Sequence, residues 1–348
     1  MRTSIITLVL TLLLLPALMP AQLSIGSKDV SKTGTVAAPF LEIPVGAAAI
    51  GLGSAFVSLA NDATALYWNP AGSVAIQQTE VVASHMTWIA DTRFDFAAMV
   101  LPLGDFGTLG LSYTSLSMDD MKVRTVELPE GTGEYFSAGD IAAGVCYARK
   151  LSDRFSVGFN VKYIHQSIWH ESASAFALDF GTMFRTDLFG GMVIGASLSN
   201  FGTSMQLSGR DTRQFGRVDP TKLGANEQIP SEIEMDSWDL PLLFQLGIST
   251  SPVRNDDYRW TVAVDALHPS DNYESVNLGT ELAFREFLFI RGGYNALFLD
   301  QTEGGLSLGF GVTSGLLFTS NTQVKLDYAY RDLGRLEGVH IVSLGVRF

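Results

Sequence analysis

The sequence predicts an all-β chain: a transmembrane antiparallel β-barrel of about 14 strands behind a separate N-terminal segment. Three observations lead there. Apolar residues recur with period two from about residue 79 onward, the two faces so formed differ in kind, and the connections between segments alternate in length. No later stretch is apolar for the length of a membrane helix, although mean hydropathy is positive at +0.21 and only 17% of residues are charged.

Residues 1–21 read as a secretory signal. Arg2 precedes an apolar run over 5–19, interrupted by Thr7 and Thr11, and "PAQ" places the cleavage after Ala21. A retained membrane helix needs ~20 apolar residues, and this run is shorter and meets Pro16 and Pro20. Residues 22–76 follow as an N-terminal segment and 77–348 as the barrel. Within the former, "NDATALYWNPAGS" (61–73) places Asp62 as an N-cap, 63–68 as a short helix, and Pro70 and Gly72 as its exit.

The strands begin after it. Over 154–163, Phe155, Val157, Phe159, Val161 and Tyr163 alternate with Ser156, Gly158, Asn160 and Lys162. Over 321–331, Val324, Leu326, Tyr328 and Tyr330 alternate with Lys325, Asp327 and Ala329, and 175–184, 276–284 and 306–312 repeat the pattern. Strict alternation makes one apolar and one polar face. A soluble sandwich would show water a face rich in Lys, Glu and Thr. Here that face is Gly, Ser, Ala and Asn with charges of both signs: Lys162, Asp179, Asp265, Glu281, Lys325 and Asp327. Small residues and paired charges suit a crowded lumen, and the Phe/Leu/Val/Tyr face suits lipid. A sheet in lipid leaves no edge unpaired, so it closes.

Fourteen such segments run from 79–89 to 337–348. Tight turns ("GDF", "SD", "DLF", "RE") follow the second, fourth, sixth and tenth, whereas the polar stretches 118–137 and 202–239 follow the third and seventh. Short turns on one side and long loops on the other are expected of a bacterial outer-membrane barrel. The longer loop carries seven Asp/Glu against four Lys/Arg, with Phe215, Ile229, Ile233 and Trp238 as apolar anchors for a docked protein.

Catalytic motifs fail on inspection. "GLGSAF" (51–56) has Phe56 where a dinucleotide fingerprint needs its third glycine. The five histidines show no metal spacing, so neither metal nor cofactor is expected. His165 and Ser167, two apart on the fifth strand with Glu171 nearby, are the one pair with hydrolase-like proximity; polar residues at a strand end beside Trp169 explain them better. An enzyme is not expected. The net charge of −13 argues against nucleic acid as a partner. Cys146 is alone, so no intramolecular disulfide forms.

The segments "GLGSAFVSLANDATALYWNPAGS" (51–73), "DTRFDFAAMVLPLGDFGTLGLS" (91–112), "AVDALHPSDNYESVNLGTELAF" (263–284) and "VKLDYAYRDLGRLEGVHIVSLGVRF" (324–348) resemble the PorV/PorQ family, itself similar to FadL-type outer-membrane transporters. The resemblance implies a FadL-like barrel whose N-terminal segment folds inward as a hatch, with Trp68, Asn69, Pro70, Ala71 and Gly72 at its turn. It also implies a non-enzymatic role in type IX-like protein secretion, in which the barrel binds translocon or cargo proteins. The alternative is a FadL-like passive transporter of hydrophobic small molecules. The interior charges favour the first, because a hydrophobic transporter should line its lumen with apolar side chains. Outer-membrane lipid and the barrel assembly machinery are the remaining expected partners.

The last strand's apolar face (Val342, Leu344, Val346, Phe348) resembles the terminal signal read by that machinery. Deleting Phe348 should lower the amount of inserted protein in cells while refolding in detergent stays near normal. Quantifying the protein in outer-membrane fractions checks this, and unchanged insertion would count against the assembly role.

Overall fold

The computed structural model describes residues 33–216, 229–299, 302–314 and 322–348. The signal expected over 1–21 lies outside the described residues. Among the described residues, fourteen consecutive strands form one barrel: β1 (Glu80–Thr87), β2 (Arg93–Pro102), β3 (Thr108–Ser117), β4 (Ala138–Lys150), β5 (Phe155–Ile168), β6 (Glu171–Arg185), β7 (Val193–Gly202), β8 (Leu243–Arg254), β9 (Tyr258–Pro269), β10 (Ser275–Phe284), β11 (Leu288–Leu297), β12 (Leu306–Thr313), β13 (Gln323–Asp332) and β14 (Gly338–Arg347). Each pairs antiparallel with the next. β1 also pairs with β14, from Glu80 opposite Arg347 to Met86 opposite Ile341, so the ring has no free edge. Closure lets the wall's backbone N–H and C=O groups pair from strand to strand around the ring, which lipid requires.

Period two decides what each residue faces. In β1, Glu80, Val82, Ser84 and Met86 are buried, and the residues between them are exposed. In β5, Phe159, Val161 and Tyr163 are 51%, 49% and 40% exposed to the surroundings of the barrel. Gly158 and Asn160, one residue out of phase, are buried within it. The outward residues on the neighbouring β6, Phe176 and Leu178, are likewise exposed, which gives a continuous apolar wall for lipid.

The ladder slips at one place beside the lumenal charges. Leu178 pairs with Phe201 but Phe180 with Leu198, so β7 carries an extra residue. Asn200 adopts φ 65° there, and its N–H turns onto Asp179 Oδ1 at 2.8 Å. A bulge of this kind re-aims a side chain into the barrel.

The connections sort by end. Residues 103–107, 151–154, 255–257 and 285–287 turn the chain at one end, while 118–137 and 203–242 span the other. The longer loop is partly ordered by its own ladders: Met205–Gln206 pairs with Ser237–Trp238, and Arg213–Gly216 with Ile229–Glu232.

Residues 37–76 lie inside the ring. They bond to inward-facing wall groups on β6, β9 and β14 and supply most of the large buried apolar side chains, including Phe40, Ile50, Leu52 and Leu66. Two helices interrupt this segment, α1 (Ala47–Gly51) and α2 (Ala65–Trp68). Backbone lies directly on backbone. A Cβ on Gly309 of β12 would sit 2.9 Å from Gly51 Cα, and one on Gly158 of β5 would sit 2.5 Å from Ala71 N. Neither distance admits a side chain. The glycines at 195, 279 and 293 on other strands meet residues 52–58 in the same way.

The barrel should run faster on SDS gels unheated than boiled, since a closed ladder resists detergent. Gly309→Val should preserve that shift yet expose residues 37–76 to protease, whereas Gly292→Ala, whose Cβ would meet only Leu308 at 3.9 Å, should change neither. A Gly309→Val protein as protease-resistant as the parent would show that the backbone contact is dispensable.

Candidate functional site

The chain crosses the lumen from the loop end to the turn end. Ala37 N–H donates to the Asp239 carbonyl at 2.8 Å, and Ala38 N–H to Gln166 Oε1 near the end of β5 at 3.0 Å. Deeper down, Ser343 Oγ accepts the Ala47 N–H at 2.8 Å at the start of α1. Asp265, fully buried on β9, accepts two successive backbone N–H groups, Phe56 at 2.7 Å and Val57 at 2.9 Å, on one carboxylate oxygen. One carboxylate oxygen thus fixes two adjacent backbone donors of the segment to the wall.

The "NPAG" stretch does more than end a helix. The helix expected over 63–68 is the single turn of α2, and Pro70 opens a second one, a 3₁₀ turn over Pro70–Ala75. Asn69 is its N-cap: Oδ1 accepts the Ala71 N–H at 3.1 Å. Proline suits the first helical position, where an N–H would have no partner. The same Asn69 amide donates to Val57 O and to Thr182 O of β6, both at 3.0 Å. Trp68 Nε1 donates to Val45 O at 3.0 Å, and its ring meets Tyr67 edge-on at 5.0 Å. Tyr67 reaches back to the Leu41 carbonyl at 3.1 Å. Ala71 and Gly72 are buried against the wall and against Ala60, respectively. These five residues thus join the two arms of the lumenal segment to each other and to the wall.

The lumenal charges form two groups. Lys162 Nζ lies 2.8 Å from Asp179 Oδ1 and also bonds Asn200; Asn160 Nδ2 donates to Asp179 Oδ2 at 3.0 Å. On the opposite wall, Arg291 bridges Glu281 at 2.7 Å and Asp327 at 2.6 Å. Lys325 sits 3.3 Å from Asp327 and 3.8 Å from Asp62 of the segment. Arg259 joins Glu281 at 3.0 Å. At the seam, Glu80 pairs with Arg347 at 3.0 Å. Charges withdrawn from water persist only when paired in this way. Arg291, Arg259 and Glu80 were not singled out above. The signal for Arg291 was present in 288–297, where Phe289, Arg291 and Gly293 share a phase.

Between the segment and the wall lies a cavity of about 150 Å³, bounded by Tyr67, Asn160, Lys162, Asn277, Asn295 and Arg331. A second, of about 430 Å³, opens at the loop end among Ala37, Gln166, Met205, Leu207, Met235 and Trp238. The four proposed loop anchors are divided. Phe215 and Ile229 occupy one hairpin, Ile233 follows it, and Trp238 pairs with Met205 in the other ladder. Phe215 is 74% exposed and Trp238 45%. The middle of the loop, 217–228, lies outside the described residues. Phe348 N–H donates to the Thr79 carbonyl at 3.0 Å, extending the β1–β14 seam.

His165 Nδ1 meets Ser174 Oγ at 2.9 Å, not Ser167, whose hydroxyl donates to the Gly139 carbonyl at 3.2 Å. The pair is no dyad. Among the described residues, no three His, Cys, Asp or Glu side chains converge as metal ligands.

At the cavity's upper edge Glu42 lies beside Asp271 of the β9–β10 loop. Burial, with the Asp271 charge adding to it, pushes the Glu42 carboxyl from its ordinary 4.5 up to about 7. An acid raised on folding contributes its full stability below 4.5, and that contribution is lost as pH rises through about 7. Hydrogen exchange at the Leu41 and Ile43 amides, corrected for intrinsic rate, should therefore accelerate between ~pH 5 and ~pH 8, and Glu42→Gln should remove the acceleration. An unchanged pH profile in the variant would reject this carboxyl pair as its source.

The sequence model of an uncharacterised protein family, UPF0164, matches residues 19–214. No curated protein matches the chain. Among solved structures, a FadL homologue of Pseudomonas aeruginosa is 12% identical, with 88% of this chain and 98% of that one covered at a TM-score of 0.52. The CymD monoaromatic hydrocarbon channel is 12% identical, with 87% and 96% covered at 0.53. The toluene transporter TodX of Pseudomonas putida is 12% identical, with 87% and 96% covered at 0.50. At such identities the likeness is one of fold, and the fold is a FadL-like barrel. These matches do not single out PorV or PorQ.

Proposed function

The chain belongs to the uncharacterised protein family UPF0164, and we propose that it is a bacterial outer-membrane channel for small molecules, closed by its own N-terminal segment. The observation that carries this reading is the seating of residues 37–76. They cross the lumen on hydrogen bonds to the wall, from the Gln166 side chain at the loop end through the Asp265 carboxylate to the Thr182 carbonyl, and leave cavities above and beside them. A plug held by replaceable polar bonds suits a gate. Solved barrels of similar fold are a toluene transporter and a monoaromatic hydrocarbon channel, which supports transport over catalysis. In this reading the long loops face the exterior, the short turns the periplasm, and no cofactor takes part.

Docking of exported proteins, the type IX-like role, is the second reading. It rests on the exposed Phe215, Ile233 and Trp238 of the long loop. Interior charge no longer favours it, because the lumenal acids and bases neutralise one another or hold the plug, and so do not report on cargo.

Two variants separate the readings. Trp68→Ala, which deletes the bond to Val45 and the contact with Tyr67, should raise solute flux into proteoliposomes several-fold. Replacing 205–237 with a Gly/Ser connector should leave the barrel inserted, since loop length barely alters closure entropy, and should leave that flux in place. Flux insensitive to Trp68, together with loss of co-purifying secretion proteins on loop replacement, would instead favour docking.

A further inference from the structure

Arg331 differs from the lumenal cations that carry an acidic partner. It lies near the loop end of β13, opposite Ser307, and faces the 150 Å³ cavity. Lys162, Arg259, Arg291, Lys325 and Arg347 each lie within 4 Å of a carboxylate. Arg331 has no such partner among the described residues, and its Nε makes no hydrogen bond. Two more polar atoms of the same lining are unpaired, Ser54 Oγ and Asn160 Oδ1. The orientation of Asn160 follows from its Nδ2, which donates to Leu66 O at 3.2 Å and Asp179 Oδ2 at 3.0 Å.

Arg331 is half-buried, its Nε is withdrawn from solvent without a partner, and a polar group buried in that way is costly. From the unpaired Arg331 Nε, Ser54 Oγ and Asn160 Oδ1 on one lining we infer that the cavity is a binding site for a small hydrophilic carboxylate, with Arg331 as its anchoring cation. The inference rests on the channel reading and names its substrate class. The guanidinium's planar fork matches a carboxylate in two parallel hydrogen bonds. Asn160 Oδ1 needs a donor, so a hydroxyl or amine on the same ligand completes the match. Lys162 is unavailable as the anchor because Asp179 already neutralises it. Glu42 borders the same cavity but makes no ion pair with Arg331.

Size and polarity limit the ligand further. A cavity near 150 Å³ holds a benzene-sized molecule, roughly six non-hydrogen atoms, which is the size of lactate. A hydrocarbon of that size would fit the volume but would leave the guanidinium, the amide and the hydroxyl unpaired against apolar surface, an arrangement that desolvation penalises heavily. The site therefore selects against the ligands that the names of the TodX and CymD barrels specify.

Lactate, its neutral isostere lactamide, and toluene test the assignment on the purified full chain. Binding is read in detergent at low salt, and flux in proteoliposomes. Lactate should bind at least about tenfold more tightly than lactamide, as expected for hydrogen bonds to a charged group. Arg331→Gln should erase that difference and Arg331→Lys should keep part of it, with heat-shifted migration on gels reporting that each barrel is intact. Equal binding of lactate and lactamide, or preference for toluene, would overturn the site. If Arg331→Gln fails to fold, the lactate–lactamide comparison on the parent protein decides alone. Selective lactate binding without flux of any solute would refute the channel and keep the site. Flux that does not distinguish lactate from lactamide would refute the site and keep the channel.

Discussion

The backbone of residues 51–71 lies against a wall stripped of side chains, and much of the interior depends on that contact. Gly51 meets Gly309, and Pro70–Ala71 meet Gly158, at separations that exclude even a methyl group. Close packing at interior density explains why glycine, otherwise unfavourable in strands, recurs on the lumen face. A barrel without the segment would have a hollow, furrowed interior. With it, the furrows are filled and the segment has a single seat.

Polar ties hold that seat in register. Asp265 grips two successive N–H groups, Asn69 links Val57 to β6, and Ser343 receives the start of α1. Each of these side chains satisfies a backbone group that neither helix nor sheet can reach, which a short, irregular segment in a closed space requires. The Arg291–Glu281–Asp327 cluster does the same for charge. Lys325 extends it to Asp62, so the wall's electrostatics also bear on the segment.

In the channel reading, function follows from what this filling leaves over. Most lumenal polar groups are matched by another; of those that are not, Ser54, Asn160 and Arg331 line one cavity, whereas Ser58, Asp265 and Ser307 lie outside it. This moves the functional emphasis from the loops to the lumen, although the long loop's ladders and exposed aromatics keep its surface well defined.

The barrel was legible in the sequence because period two is a local property: a residue's phase assigns it to lipid or lumen whatever its neighbours in space. That reasoning places Lys162, Asp179, Asp265, Glu281, Lys325 and Asp327 inward; Arg331 shares the phase of Lys325 and Asp327, and Arg291 that of Phe289 and Gly293. The turn chemistry of 61–73 was only half legible. Proline marks either a stop or a first helical turn, and the wall carbonyl bonded by Asn69 is 113 positions away. Pairing was not legible at all. Which base meets which acid, and that Arg331 meets none, depends on where the lumenal segment crosses fourteen strands, and no local pattern records that crossing. The sequence by itself determined the wall and its two faces, because alternation is covalent geometry. Only the tertiary structure decided what fills the wall and which polar groups remain for a ligand, because those are contacts between residues far apart in the chain.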